Sequence, residues 1–244
     1  MEILKDASAT AIYGTNGANG VILITTKHGK SGKPTIKYSG YVGFEDFSHK
    51  LKFCDGDQII QRYKDYIAIN PGETMYNDNV KYANEAENYE KGIQTDWLYD
   101  EASQTGIITD HNVSIAGGAE RVRYYVSGDY LSQKGVLKGF NYKRYSLRTN
   151  VDMDVTDYLK VGTNTYIASH NRDGGRVNFL NAEAMSPWGK MYNDDGSYCI
   201  YPMASEQLWA NPMIGTNKQA ERRQWNVSIN GFAEVDFGHI WKPL

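Results

Sequence analysis

Cysteine and proline are scarce in this chain of 244 residues, with 2 Cys and 6 Pro. Cys54 and Cys199 lie far apart and match no metal or redox spacing, so neither a disulfide framework nor a thiolate metal site is expected. Long apolar runs are missing too. No stretch exceeds four apolar residues, Val21–Ile24 being typical, whereas a helix that crosses a membrane needs about 20 in succession. That excludes a helical span but not a membrane β-barrel, whose strands alternate sides. Charge imbalance is absent as well: 26 basic and 29 acidic residues leave a formal charge of -3, with no basic surface for nucleic acid. The opening Met1–Asp6 has neither the basic nor the apolar region of a signal peptide. Either the protein stays inside the cell or its beginning lies elsewhere.

Glycine and aromatics, by contrast, are plentiful: 24 Gly, 19 Tyr, 7 Phe and 5 Trp, with 41% apolar and 23% charged residues, the balance of a folded chain. Ala7 to Gly14 reads as a short helix, and glycines 14, 17 and 20 as a tight turn. Val21–Lys27 reads as a β-branched strand covered on both faces. A polar linker, Lys27–Pro34, then precedes a change of period.

From there residues alternate apolar and polar in six stretches. Ile36 to Phe44, Ile107 to Ala116, Val122 to Tyr130, Arg144 to Val155, Leu159 to Ile167 and Trp225 to Phe237 are the expected strands. They run to roughly 10 residues or more, near the 9–11 that a tilted strand needs to cross hydrocarbon. The connections alternate between long (about 45–105 and 171–223), medium (133–143) and tight (117–120 and 156–158). Short turns at one rim and long loops at the other favour a membrane barrel over a soluble β-sandwich, which also alternates. Phe44, Tyr130, Tyr145, Trp225 and Phe237 fall near strand ends, where an interfacial girdle places its rings.

Inside the first long loop, Ile59, Ile60, Tyr63, Tyr66 and Ile67 have helical spacing after Asp57, a residue able to cap. A polar stretch, Val80 to Lys91, is a second expected helix. In the second long loop Trp188, Tyr192, Tyr198, Tyr201 and Trp209 cluster among polar residues. They could stack on sugar rings or peptide groups, or pack the loop itself. On the polar strand faces Arg123, Asp129, Arg148, Asn150 and Asp152 are the candidates for lining an enclosed pore.

Other chemistry is excluded by spacing. Gly29-Lys30-Ser31 lacks the glycine a phosphate loop needs five positions earlier, where Ile24 stands. The five histidines (28, 49, 111, 170, 239) have no ligand spacing, no cofactor is indicated, and Asn193–Gly196 reads as a turn rather than a calcium loop.

Leu4 to Gly14 together with Gly17 to Lys27 resembles the end of the plug domain in SusC/RagA-type TonB-dependent outer-membrane receptors. Asn112 to Gly118, Arg123 to Ser127 and Lys143 to Arg148 are similar to the barrel of that family. Thr15-Asn16 departs from it, since Ser-Arg is common there. The resemblance marks Asp6, Ala7, Ser8, Tyr13, Gly14, Gly17 and Gly20 as structural plug positions. It implies a mainly β fold: about six antiparallel strands of a larger plugged transmembrane β-barrel, preceded by the last part of an α+β plug domain. Residues 1–30 would end the plug and 31–244 would begin the barrel, as a fragment unable to insert or transport alone. A barrel of this kind has about 22 strands. It further implies no enzyme activity but uptake of a glycan or oligopeptide across the Gram-negative outer membrane. The implied partners are a SusD-like lipoprotein, the TonB-ExbB-ExbD complex and outer-membrane lipid. The rival readings are a soluble carbohydrate-binding β-sandwich and a secreted glycan-cleaving enzyme.

Overall fold

A computed structural model describes residues 2–5, 11–17, 20–23, 27–71, 83–203 and 207–240. At the amino end β1 (Glu2–Leu4) pairs antiparallel with β2 (Val21–Leu23) across a 3-10 turn at Ala11–Gly17. Gly14 bends that turn at φ 59, and Gly20, at φ 94, would bring a Cβ to 3.2 Å from the Leu4 carbonyl; both positions favour glycine. Although the β-branched run predicts cover on both faces, Ile22 is 58% exposed. Two short strands make no second layer, and none of the described residues supplies one. Asp6, Ala7 and Ser8 lie outside the described residues, and Tyr13 is exposed.

Six strands follow: β3 (Gly32–Glu45), β4 (Gly106–Gly118), β5 (Val122–Lys134), β6 (Asn141–Asp154), β7 (Leu159–Asn171) and β8 (Arg223–Val235). They form one antiparallel sheet in sequential order, with β3 and β8 at its edges. β6 has 14 residues. At about 3.3 Å each and a tilt of about 45°, such a strand rises about 33 Å, enough for a hydrocarbon core of about 30 Å. Pro34 has no N–H to give, and the β3–β4 register shifts between Gly32 and Thr35.

Turns 119–121 and 155–158 close one rim, while the connections from Glu45 to Gly106, Lys134 to Asn141 and Asn171 to Arg223 leave the sheet at the other. The connection expected over 133–143 is shorter because the β5–β6 ladder continues to Lys134 opposite Asn141. In the first long loop, α1 (Gly56–Ile69) is capped by Asp55 rather than Asp57. The Asp55 carboxylate accepts from the Gln58 N–H at 2.8 Å, and the Gln58 side chain accepts from the Asp55 N–H at 3.1 Å, a reciprocal capping box. α2 (Ala83–Glu90) covers part of the second expected helix; positions 80–82 lie outside the described residues. Gly92, at φ 67, ends it by donating to the Tyr89 carbonyl. α3 (Phe179–Ala184) lies in the second long loop. Phe237, expected to prolong the last strand, instead opens α4 (Phe237–Ile240), because Asp236 turns the chain by accepting from the Gly238 N–H. None of the described helices is long and apolar enough to cross a membrane.

Burial on the sheet runs opposite to that of a water-soluble fold. On the apolar side of β6 Tyr145 and Leu147 are 53% and 43% exposed, while on its polar side Asn150 and Asp152 are 2% and 6% exposed. No second sheet of described residues covers the apolar side, as a β-sandwich requires. The main apolar cluster lies in the loops, where Trp97, Leu98, Ala102, Val177, Ala182 and Met185 pack together.

Candidate functional site

Period-two alternation places Arg123, Asp129, Arg144, Arg148, Asn150 and Asp152 on one face of β5 and β6, as the sequence predicts. Most of these groups are already engaged. Arg123 forms a bidentate pair with Asp154 at 2.9 and 3.1 Å, and Arg144 binds Asp129 at 2.8 Å. Higher on the same face the Gln133 amide donates to Glu45, and Tyr142 and His170 share a 2.7 Å hydrogen bond. Asn226 reaches the other nitrogen of His170 at 3.0 Å. Arg148 differs: its guanidinium carbon lies 5.2 Å from the centre of the Tyr166 ring, and no carboxylate pairs with it among the described residues.

Near the rim with the short turns, the segment 27–30 is seated on this face. The Asn150 amide donates to the Lys27 carbonyl at 2.5 Å, and His28 meets Asp152 at 2.8 Å. Gly29 is buried so tightly that a Cβ would overlap the Tyr124 backbone. Glycine is therefore required by close approach rather than by its dihedral angle. The carboxylate and amide on the buried face are thus satisfied by the strand's own neighbours and by this linker.

Above the sheet, the loops at the long rim are folded on each other. The Trp97 indole N–H donates to the Ser186 carbonyl at 2.8 Å, and the Thr95 N–H to the Pro187 carbonyl at 2.8 Å. Trp188 is buried against Gly56 and lies edge-on to Tyr89 at 5.2 Å. Trp209 and Tyr198 pack against the loop cluster, while Tyr192 and Tyr201 keep exposed faces. Tyr192 and Tyr198 stack at 5.3 Å across a small hairpin whose turn holds Asn193–Gly196. Hydrogen bonds from Ser197 hold the Asp195 carboxyl below the usual range, and Asp194 raises Lys190 by pairing with it at 3.0 Å. These carboxylates serve the turn, and no cluster of metal-ligating side chains occurs among the described residues.

Two further cations belong to the site. The Arg172 guanidinium carbon lies 5.2 Å from the Tyr142 ring centre, and that of Arg176 lies 4.9 Å from Phe140. Sequence reading passed over both, since they follow β7 in a loop without periodicity. A cavity of about 520 Å³ opens beside Phe140, Arg176, Asn178, Lys218 and Arg222, with no acidic residue in its lining. The arrangement can bind and orient polar or anionic groups; it has no nucleophile and base poised on one another.

No protein-family model matches the chain. It is similar to TonB-dependent receptor P3 of Formosa agariphila, 33% identical over 250 residues, covering 97% of this chain and 23% of that protein. It is also similar to TonB-dependent receptor SusC of Bacteroides thetaiotaomicron, 34% identical over 203 residues, covering 81% of this chain and 18% of that one. Among solved structures, the RagAB peptide importer in its open-open state superimposes with a TM-score of 0.73 at 25% identity. That match covers 96% of this chain and 29% of the importer chain. The chain thus spans less than a third of the length of these relatives, which are receptors and importers rather than enzymes.

Proposed function

The chain belongs to the SusC/RagA type of TonB-dependent receptors, and on that premise we propose that it forms the plug exit, part of the barrel wall and outer loops of an outer-membrane nutrient importer. Residues 1–30 end the plug and 31–244 make wall and loops. One observation carries this reading: across the central strands the polar face of the sheet is the covered one and the apolar face is bare. Water-soluble sheets do the reverse, whereas a barrel wall turns its apolar side to lipid and its polar side to an enclosed lumen. An open sheet edge does not stand in hydrocarbon, so β3 and β8 pair with further strands that close the wall.

In this reading the long-loop rim faces the outside and the short turns face the periplasm, where segment 27–30 enters from the plug. A glycan or oligopeptide is captured at the outer rim under a SusD-like lipoprotein. The exposed rings of Tyr192 and Tyr201 and Arg148, which has no carboxylate partner among the described residues, are the contacts on this chain. Trp188, Trp209 and Tyr198 hold the loops in shape. TonB, energised through ExbB and ExbD, pulls the plug and opens the path. No bond in the cargo is made or broken. The RagAB peptide importer supports the oligopeptide arm of this reading.

The test is uptake. Cells carrying the complete receptor should accumulate a labelled oligomer in a TonB-dependent manner, and deletion of the receptor or of TonB should abolish accumulation. Equal accumulation with and without the receptor, across glycan and peptide pools, refutes the proposal.

A further inference from the structure

We propose that Arg148, Arg172 and Arg176 form a track that selects acidic oligopeptides, binding carboxylate side chains of a peptide extended along the inner wall of β6 and β7; this rests on the uptake reading above. The three share a feature that four other arginines lack. Arg121, Arg123, Arg144 and Arg223 each hold an aspartate, at 157, 154, 129 and 173 respectively. Arg148, Arg172 and Arg176 have no carboxylate partner among the described residues, and each guanidinium lies over an aromatic ring, Tyr166, Tyr142 and Phe140. The ring supports the face of the cation and leaves the forked N–H edge free for a bidentate carboxylate.

The spacing favours a peptide. Arg148 stands directly opposite Tyr166 in the β6–β7 register, and Tyr142 and Phe140 follow six and eight positions earlier in the chain. Arg148 and the Tyr142 ring beneath Arg172 therefore lie about 20 Å apart along β6, and Phe140, beneath Arg176, stands just beyond the end of that strand. An extended peptide repeats its same-side side chains every two residues, or about 6.8 Å. Alternate acidic residues meet Arg172 and Arg176, and a third meets Arg148 six residues further on. At the outer end the track opens into the acid-free cavity of about 520 Å³, where Lys218 and Arg222 add positive charge.

The measurement is binding by the complete receptor in detergent, without TonB. The probe is a labelled peptide of about nine residues with glutamate at its first, third and ninth positions and serine elsewhere; its comparator carries glutamine at those positions. The glutamate peptide should bind at least about tenfold more tightly. R148Q/R172Q/R176Q should reduce it to the level of the glutamine peptide, while R121Q at the opposite rim should leave it unchanged. R148K/R172K/R176K keeps the charge and loses the fork, and should bind the glutamate peptide at least about threefold more weakly than the unaltered receptor. Equal binding of the two peptides, or a preference that survives both triple substitutions, overturns the proposal. Arginine-dependent binding of oligogalacturonate without binding of the glutamate peptide also overturns it, in favour of acidic glycans. TonB-dependent import of a neutral oligomer by a receptor that binds neither peptide would sink the track and leave the uptake reading standing.

Discussion

Leu147 and Arg148 are neighbours in β6 and face opposite sides of the sheet. Leu147 stands between Gly128 and Ile167 on the bare apolar side, whereas Arg148 lies against Tyr166 on the polar side, its guanidinium carbon 5.2 Å from the ring. In the proposed barrel one peptide bond thus separates the lipid-facing surface from the lumen. Around Leu147, Val113, Ile167 and the rings of Tyr130, Tyr145 and Trp225 line one shallow apolar groove. His111, Tyr130 and Tyr145 follow one another across three strands at ring separations of 6.4 and 4.9 Å, in register with Ser169 and Trp225.

Leu147→Arg should therefore destabilise the complete receptor in a bilayer by about 2–4 kcal/mol, the cost of a lipid-facing arginine near midplane. Arg148→Leu, one position away, should change stability far less. Urea unfolding from liposomes reads both, and equal penalties at the two positions would refute the assignment of faces.

Gly29→Val should lift the linker from the wall, because any side chain there meets the Tyr124 backbone and the bonds of Lys27 to Asn150 and of His28 to Asp152 depend on that seat. Tryptic cleavage at Lys27 or Lys30 should become about tenfold faster, equivalent to about 1.4 kcal/mol of lost docking. Unchanged cleavage would mean the linker is held elsewhere.

The base of the second long loop is clasped by Asp173, which accepts the Arg222 N–H at 2.5 Å and the Arg223 Nε–H at 2.7 Å. The Arg222 backbone bond first, then Arg223, hold its carboxyl below the ordinary value. A depressed folded-state pKa contributes stability above the unfolded value, about 3.9, and loses it as pH falls through the folded value. Hydrogen exchange at 218–222 should stay slow at pH 5 and quicken only below the ordinary carboxylate range. Asp173→Asn should quicken it at neutral pH.

The strands were legible because an apolar face and a polar face impose a two-residue period, and Trp225 to Val235 shows it in nearly every position. Their ends were less so: the hydrogen-bond ladder that extends β5 to Lys134 leaves no mark on polarity, and Phe237 reads as apolar in a strand or a helix alike. In the loops a large ring carries the same signal whether it binds or packs, so Trp188 and Tyr201 could not be told apart before their burial was seen. Arg172 and Arg176 gain meaning only from the rings of Tyr142 and Phe140, which distant parts of the chain bring to them.

Trp97 tests whether the outer loops form one folded unit. Its ring is 2% exposed within the cluster of Leu98, Ala102, Val177, Ala182 and Met185, and its N–H fixes the Ser186 carbonyl. Trp97→Ala should cost about 3–5 kcal/mol of local loop stability, from lost burial and the cavity left behind. Because the cluster joins residues of both long loops, exchange should accelerate together at 97–102 and 177–191, even though the two segments are distant in sequence. The six-stranded sheet does not depend on that core, so heat-modifiable migration of the complete receptor should persist. Acceleration in one loop alone would show that the loops fold independently, and loss of heat-modifiable migration would show that the sheet leans on them.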